Sequence, residues 1–454
     1  MRQEPISGIA NLEPIGRLRQ QKAWYWYDWA NSAYVTTVST VLAAPYLIAV
    51  AKGAAVDNRV QLLWWDVAPG AMPAFVVTLS TIASAILVPI LGVFTDRITR
   101  KRWLLGALAW IGAAFASLLF FAKDGNWQIG ALGLFMGNVM IAASSMVNDA
   151  ILPLISSEEE RDRVSSRGWA WGYLGGGLLL AINLVLVMVK PFGLDEGTAV
   201  RVSMLSAAVW WAAFTFIPVL GLKDHPPAPL PEEYDVGRGL LAQSAGQLLK
   251  TVKELPKYPY ALLFLAAFLF FNDGIQTVIA TASTYGSEEL GHPQSVLIAT
   301  ILMVQFVAFA GALVFGKFAI KYGAKRVILV GLAIWMVIVT AALVVPAKQV
   351  LPFLALGFGI GLVMGGTQAL ARSYFSLLIP RGKEAEYFSL YHLMERGTSW
   401  IGTFVFGLVY QMTNSYRPAV FALIAFFVVG GILLSMVDTK KGIQQAGNDV
   451  PSVI

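Results

Sequence analysis

The 454-residue sequence contains no cysteine and only three histidines, His225, His292 and His392. The lack of thiols excludes disulfides, thiolate metal sites and cysteine nucleophiles. Three histidines leave little material for a histidine-rich metal centre or a Ser/His/Asp triad. No Gly-x-x-x-x-Gly-Lys-Ser/Thr string is present, so ATP-driven chemistry has no support. The sequence therefore predicts no enzyme, no metal site and no cofactor.

Charge is also scarce, whereas apolar residues are abundant. Charged residues make up 13% of the chain and hydrophobic residues 57%, against about 25% and about 45–50% in soluble proteins. A helix crosses a bilayer with about 20 apolar residues, and the runs lack the alternation of a membrane barrel. We therefore predict an all-α polytopic membrane protein with twelve transmembrane helices. The predicted spans are 24–50, 72–94, 103–122, 128–155, 166–190, 199–221, 259–285, 295–320, 325–345, 350–379, 386–411 and 417–437.

The distribution of lysine and arginine predicts the orientation, because cytoplasmic loops carry the excess of these residues. With the N-terminus inside, 25 of the 33 basic residues fall in the inner segments and 7 in the outer loops. The remaining one, Arg396, lies inside a span. Both termini are expected to be cytoplasmic. The net charge of +6 follows mostly from this asymmetry and requires no nucleic acid partner.

The spans divide the chain into five predicted parts. A polar tail covers 1–23, a six-helix bundle 24–221, a linker 222–258, a second bundle 259–437 and a second tail 438–454. The linker opens with the proline-rich KDHPPAPLPEEYD, which resists helix formation. It continues as RGLLAQSAGQLLKTVKEL, whose apolar residues recur at helical spacing. This second part is expected to form either an interfacial helix or a simple linker helix.

Two landmarks indicate that the bundles are repeats. Gly92 opens the string GVFTDRITRKR after span 2, and Gly316 opens GKFAIKYGAKR after span 8. Pro153 closes span 4 as Pro380 closes span 10, and the two offsets are 224 and 227 residues. Hydropathy alone would not produce this match. We therefore predict two pseudo-symmetric six-helix bundles around a central cavity.

The first string resembles the loop signature of the major facilitator superfamily. Gly92, Asp96, Arg97, Arg100 and Lys101 match that pattern, whereas threonine replaces its usual second glycine. A carboxylate at this turn can accept hydrogen bonds from a basic residue or a helix N-terminus of the other bundle. The residues are therefore gate candidates. The alternative is a charged loop that only anchors the topology.

Further strings resemble the vacuole-effluxer branch of that superfamily, which contains the autophagy-related vacuolar permeases and their bacterial relatives. The strings occupy 26–34, 148–177, 271–278, 365–380 and 387–402. The resemblance covers nearly the whole chain and implies a bacterial-type member that exports small solutes, with amino acids as the associated substrates. Span 11 departs from the pattern, because Glu395 and Arg396 stand where a small residue and lysine are usual.

Ionisable groups inside spans are costly and therefore usually face a cavity or a partner. Counting residues from the span ends places one group of candidates deep in the membrane and another toward the cytoplasmic mouth. The substrate or coupling candidates are Asp273, Asn272, Gln276, Arg396, Glu395 and Gln368. The further gate candidates are Asp28, Asn31, Asn148, Asp149 and Arg372.

We expect Arg396 to bind an anionic group of the solute, while Asp273 attracts an amino group or takes up a proton. The alternative is a buried Asp273–Arg396 ion pair that only ties the bundles together. Asp28 is expected to pair with Arg372 or Arg167 at the inner gate. His392 is interpreted as a packed polar residue near a helix seam.

The expected function is secondary transport of amino acids or similar solutes out of the cell by alternating access, coupled to protons or another ion. The protein is expected to be a monomer in the bacterial plasma membrane. Two alternatives remain, a lipid or lysolipid transporter on the same fold and a membrane sensor or scaffold that moves nothing. A lipid transporter would have a lateral apolar opening between its halves.

The anion-site hypothesis makes one direct prediction. Arg396→Ala is expected to weaken the affinity for the transported solute, because the anionic group loses its charged partner. Solute uptake into proteoliposomes measures the affinity. A variant that keeps this affinity and loses only expression contradicts the hypothesis.

Overall fold

A computed structural model of the protein describes residues 14–227, 253–397, 400–413 and 415–454. The first half of the chain contains seven helical segments around a short strand pair. They are α1 (Pro14–Tyr34), α2 (Ala43–Ala54), α3 (Met72–Asp96), α4 (Lys101–Ala116), α5 (Trp127–Ile155), α6 (Arg161–Val189) and α7 (Glu196–Gly221). A π-helical segment, Val35–Leu42, joins α1 to α2, and the strands are β1 (Val60–Leu62) and β2 (Trp65–Val67).

The second half follows a similar helical plan, and its described residues contain no strand. Its helices are α8 (Pro259–Thr284), α9 (Gln294–Tyr322), α10 (Ala324–Ala342), α11 (Val350–Leu377), α12 (Glu384–Gly397), α13 (Trp400–Thr413), α14 (Tyr416–Ala422), α15 (Ile424–Met436) and α16 (Thr439–Gln445). A π-helical turn, Tyr285–Glu289, follows α8. Each half thus has a π-helical segment directly after its first α-helix.

The all-helical membrane fold predicted from composition is confirmed. Eleven of the described helical segments are long and apolar enough to cross a bilayer. The predicted span 386–411 corresponds to α12 and α13, which lie on either side of residues 398 and 399. The first span is longer than predicted, because helical structure runs from Pro14 to Ala54. Most of the linker, including its predicted helix, lies outside the described residues.

The β1–β2 hairpin between α2 and α3 is an element that the sequence analysis missed. Val60 pairs with Val67 and Leu62 with Trp65 in antiparallel register. Its turn contains Leu63 at φ 58°, a left-handed conformation that is uncommon for a branched residue. No Asn-Gly or Asp-Gly pair marks this turn, so the usual hairpin signal is missing.

The two halves meet along pseudo-equivalent helix pairs. α3 of the first half packs against α12 of the second, and α6 packs against α9. A Cβ on Gly92 would lie 2.6 Å from the carbonyl oxygen of Ala385 on α12, and one on Gly316 would lie 2.7 Å from Ser166 on α6. Small residues allow such close helix approach. The glycines that marked the sequence repeat are therefore the contact points between the halves.

One end of the bundle is closed by contacts between the halves. This end carries the loops 97–100, 156–160 and 378–383, and we call it the basic end. Arg161 of α6 donates a hydrogen bond to the carbonyl oxygen of Ser376 at 3.0 Å, and Arg381 pairs with Glu158 at 2.9 Å. Charge distribution predicts that the basic end is cytoplasmic.

The contact between α9 and α11 provides a test of the packing. A Cβ on Gly311 would overlap the backbone oxygen of Leu362. Gly311→Ala is therefore expected to cost about 1–3 kcal/mol through overpacking. Gly407→Ala is the matched control, since no atom lies within 4 Å of that position. Thermal unfolding of the two purified variants measures the difference, and equal melting temperatures contradict the α9–α11 packing.

Candidate functional site

A cavity of about 810 Å³ lies between the two halves. Helices α1, α3, α5 and α6 line it from one half, and α8 to α12 and α14 line it from the other. On α11 both Phe353 and Arg372 face the cavity, which gives it a length of about 28 Å at 1.5 Å per residue. The cavity thus runs from the end opposite the basic end down to the last two turns of α11.

Apolar and neutral polar side chains both line the walls. The apolar residues include Ile279, Ile301, Val304, Ile338, Leu356 and Ile360. The neutral polar residues include Asn31, Ser32, Thr36, Ser39, Thr40, Gln276, Thr281, Thr300, Gln305 and Gln368. A solute with an apolar part and a polar or charged group would match this lining.

Arg372 forms the charged floor of the cavity. Its Nη1 donates to Asp149 at 2.9 Å, and its Nη2 donates to Asp28 at 3.2 Å. Its Nε donates to the Ser165 hydroxyl at 2.9 Å. Arg372 belongs to the second half, whereas all three partners belong to the first. One guanidinium therefore joins the halves where the cavity ends.

Aromatic rings fix the position of this guanidinium. Its central carbon lies 4.7 Å from the ring centroid of Trp24 and 5.4 Å from that of Trp169. Desolvated cation–π contacts of this type are worth about 2 kcal/mol. Trp24 is held in turn by a hydrogen bond from its Nε1 to the carbonyl oxygen of Asn148, at 2.8 Å. Asn148 donates to Asp28 at 3.3 Å.

A histidine extends the charged floor toward α12. His392 Nε2 lies 3.0 Å from Asp149 Oδ2, and its Nδ1 lies 2.8 Å from Glu395 Oε2. Both His392 and Glu395 line the cavity. This corrects the interpretation of His392 as only a packed polar residue. The floor is a connected group of five residues, Asp28, Arg372, Asp149, His392 and Glu395, which we call the floor cluster.

The predicted division between gate and substrate residues does not hold here. Asp28, Asn31, Asp149 and Arg372 were predicted at the gate, yet they line the same cavity as Glu395, Gln276 and Gln368. The predicted pairing of Asp28 with Arg372 is confirmed. The alternative partner, Arg167, is exposed.

Asp273 and Asn272 do not lie where the sequence analysis placed them. Neither belongs to the cavity lining among the described residues. The Asp273 carboxylate accepts a hydrogen bond at 2.7 Å from the backbone N–H of Gly402, the third residue of α13. The first N–H groups of a helix have no partner within it. Asp273 therefore caps α13, and Asn272 donates to the carbonyl oxygen of Glu395.

The Arg396 side chain lies outside the described part of the structure. Its proposed anion site, and the alternative ion pair with Asp273, therefore remain predictions.

The gate candidate Asp96 makes the contact predicted for it. Its two carboxylate oxygens accept hydrogen bonds from the backbone N–H groups of Ala385 and Glu386, at 3.0 and 2.9 Å. These N–H groups lie in the first turn of α12, in the other half. Lys101 donates to the carbonyl oxygens of the α3–α4 turn. Arg97 is half-buried and Arg100 exposed, and their gate roles remain predictions.

The sequence analysis missed three functional candidates on α6. Ser165 binds Arg372, Trp169 stacks on it, and Tyr173 donates to Gln368 at 2.9 Å. Their spacing of four residues places them on one face of the helix. This periodicity within RDRVSSRGWAWGYLGGG was the available signal.

Two pseudo-equivalent helical halves around a polar cavity define an integral membrane transporter of the major facilitator type. Solved transporters share the fold. The proton:xylose symporter XylE aligns with a TM-score of 0.68 at 14% identity over 95% of this chain and 98% of that one. FucP in the outward conformation aligns at 0.67 and 12%, over 94% and 99%.

Within that class the chain belongs to the family described as vacuole effluxer Atg22 like, whose model matches residues 17–447. It is 29% identical over 440 residues to the uncharacterized MFS-type transporter YxiO of Bacillus subtilis (strain 168), covering 95% of this chain and 98% of the relative. Autophagy-related protein 22 of Yarrowia lipolytica (strain CLIB 122 / E 150) is 28% identical over 312 residues, covering 63% of this chain and 51% of the relative. The match spans about half the length of such fungal relatives.

The Asp96 contact predicts how the basic end responds to mutation. Asp96→Asn removes one of the two acceptors and the charge, so the closed state is expected to lose about 1–2 kcal/mol. Its population relative to the open state then falls roughly five- to thirty-fold. Spin labels on Thr99→Cys and Lys440→Cys, both exposed, report the separation of the halves.

Asp195→Asn is the control for this experiment. Asp195 also caps a helix, since its side chain accepts from the Thr198 N–H at 2.9 Å, but this contact lies within α7. The control is expected to leave the label distance unchanged. Identical distance distributions for Asp96→Asn and the unsubstituted protein contradict the gate role.

Proposed function

We propose that the protein exports amino acids or related amino-group-bearing solutes by alternating access, with protons as the coupling ion. The observation that carries this proposal is the floor cluster. The same five side chains form the end of the cavity and hold the two halves together. A solute or proton that changes the charge of this cluster therefore acts directly on the contact that must break.

The cavity suits a small solute with an apolar part. Its volume of about 810 Å³ falls within the roughly 300–1,000 Å³ of small-molecule sites. The apolar residues of the cavity wall match an aliphatic or aromatic side chain. The carboxylates of the floor cluster match an ammonium group. The effluxer description of the family supports export as the direction.

The roles of individual residues follow from their positions. Glu395 is the ammonium partner, because it lines the cavity and is the least buried carboxylate of the floor cluster, at 18% side-chain exposure against 12% and 7% for Asp28 and Asp149. Gln276 and Gln368 supply neutral hydrogen bonds from two helices of the second half. Arg396 remains the proposed partner of the solute carboxylate.

The transport cycle rocks the two halves about the cavity. The structure has the basic end closed by the floor cluster and by the Asp96 contact with α12. Opening that end requires both contacts to break, while the opposite end closes over the solute. We place the protein as a monomer in the bacterial plasma membrane with both termini in the cytoplasm, consistent with its similarity to YxiO and with the basic residues of the inner loops.

Counterflow of labelled L-leucine in proteoliposomes tests the proposal. Glu395→Gln is expected to lower leucine affinity roughly ten- to hundred-fold, because one charge-assisted hydrogen bond is worth about 1.5–3 kcal/mol. The matched control is Glu288→Gln, an exposed residue outside the cavity, which is expected to keep the affinity.

The outcomes separate the proposed function from its alternatives. Counterflow of leucine excludes a sensor or scaffold that moves nothing. Exchange of a labelled lysolipid with no leucine counterflow favours the lipid transporter and contradicts the proposal. Equal leucine affinity in the Glu395→Gln and Glu288→Gln variants contradicts the role of Glu395.

A further inference from the structure

We propose that His392, together with Asp149 and Glu395, binds the coupling proton, and that this proton and a protonated amine on the solute exclude each other. The inference rests on the proposed function and adds the proton site, the recognised chemical group and an exchange of one proton for one ammonium. Its basis is the geometry around the two nitrogens of His392.

The contacts of His392 require an additional proton. A neutral imidazole has one N–H donor and one acceptor nitrogen. Here each ring nitrogen lies at ion-pair distance from a carboxylate oxygen, at 3.0 Å from Asp149 and 2.8 Å from Glu395. The Nε2 contact has hydrogen-bond geometry, whereas Nδ1 has no hydrogen-bond partner among the described residues. With a neutral ring, the two ionised carboxylates would lie beside an uncharged group in a buried site. One more proton, on the ring or on a carboxylate, compensates one of these negative charges.

Within the floor cluster, Arg372 contacts Asp28 and Asp149, whereas His392 contacts Asp149 and Glu395. Arg372, from α11, donates to Asp149, Asp28 and Ser165. The ring centroid of Tyr391 lies 5.8 Å from that of His392. All five members of the floor cluster line the cavity. Because the guanidinium of Arg372 already compensates Asp28 and Asp149, we assign to His392 the proton that balances Glu395.

A protonated amine can replace the proton of this group. When an ammonium group donates its N–H bonds to Glu395, it supplies one positive charge and hydrogen-bond donors at the same carboxylate. The proton on His392 then passes to water in the cavity. The charge of the floor cluster with its occupant is the same before and after the exchange. Holding both cations would add a positive charge, and holding neither would leave an extra buried negative charge.

Asp149 links this exchange to the gate. Its Oδ1 accepts a hydrogen bond from Arg372, and its Oδ2 contacts His392. One oxygen thus contacts the gate residue and the other contacts the proton site. If the site held neither a proton nor a solute, a poorly compensated carboxylate would be buried while the protein changed between its two open states. Buried unpaired charge is strongly unfavourable. The halves therefore rock with either the proton or the solute bound, which is the requirement for antiport.

Calorimetric titration of the full-length protein in buffers of different ionisation enthalpy measures protons released on binding. The probes are L-leucine, leucinamide, which lacks the carboxylate, and 4-methylpentanoate, which lacks the amine. Leucine and leucinamide are expected to release about one proton each at about pH 7, and 4-methylpentanoate none. Leucine affinity is expected to fall by up to about tenfold per pH unit as the site takes up its proton, because the coupling is reciprocal.

Two variants assign the release to one histidine. His392→Gln is expected to lose the proton release on leucine binding and the accumulation of leucine driven by a pH gradient. His292→Gln is the matched control, since His292 is buried outside the cavity lining and is expected to keep proton release. The comparison of the three probes in the unsubstituted protein tests the inference without any variant.

The results distinguish this inference from the proposed function. Leucine counterflow with unchanged proton release in His392→Gln overturns the assignment of the proton site. Proton release by 4-methylpentanoate equal to that by leucine overturns the amine exchange. If none of the probes binds or exchanges, the proposed function fails and the inference fails with it.

Discussion

The contact between the two halves centres on the buried guanidinium of Arg372. Arg372 reaches from α11 into a site built by α1, α5 and α6, where Asp28, Asp149 and Ser165 accept its hydrogen bonds. Removing one partner of such a buried pair typically costs about 3–5 kcal/mol, because the other charge is left uncompensated. The contact therefore holds firmly when complete. It also becomes sensitive to any change in the charge of its neighbours.

That sensitivity makes the floor cluster suitable for coupling. If the gate were far from the cavity, binding of a solute could affect it only through a series of packing changes between the two sites. Here Asp149 contacts both Arg372, which joins the two halves, and His392, the proposed proton site. One carboxylate therefore contacts both the gate and the site that binds the proton. Helices α12 and α13, which form the predicted span 11, are each held at their N-terminus by an aspartate. Asp96 accepts hydrogen bonds from the first turn of α12 at the basic end, and Asp273 accepts one from the first turn of α13.

The sequence predicted the fold and the contact of Asp96 with the other half, because these follow from local patterns. The apolar runs correspond to helices long enough to cross a bilayer. Gly92, Gly316 and Asp96 make contacts between the two halves. The predicted position of Asp273 at the cavity differs from the structure for a geometric reason, whereas His392 is buried as predicted and also lines the cavity. Counting along a helix predicts depth in the membrane, but it does not predict which neighbour a side chain faces once the helices have packed. His392 meets Asp149 across 243 residues of sequence, a pairing that no local pattern encodes.

A double-mutant cycle at the floor cluster tests the shared guanidinium most directly. The label distance across the basic end is measured in Asp149→Asn, Arg372→Gln and the double variant, in a protein whose lack of native cysteine leaves no background labelling. If Arg372 closes the basic end through Asp149, the double variant opens it no further than Arg372→Gln alone, because the shared interaction is already lost. Independent, additive opening by the two substitutions would contradict the account.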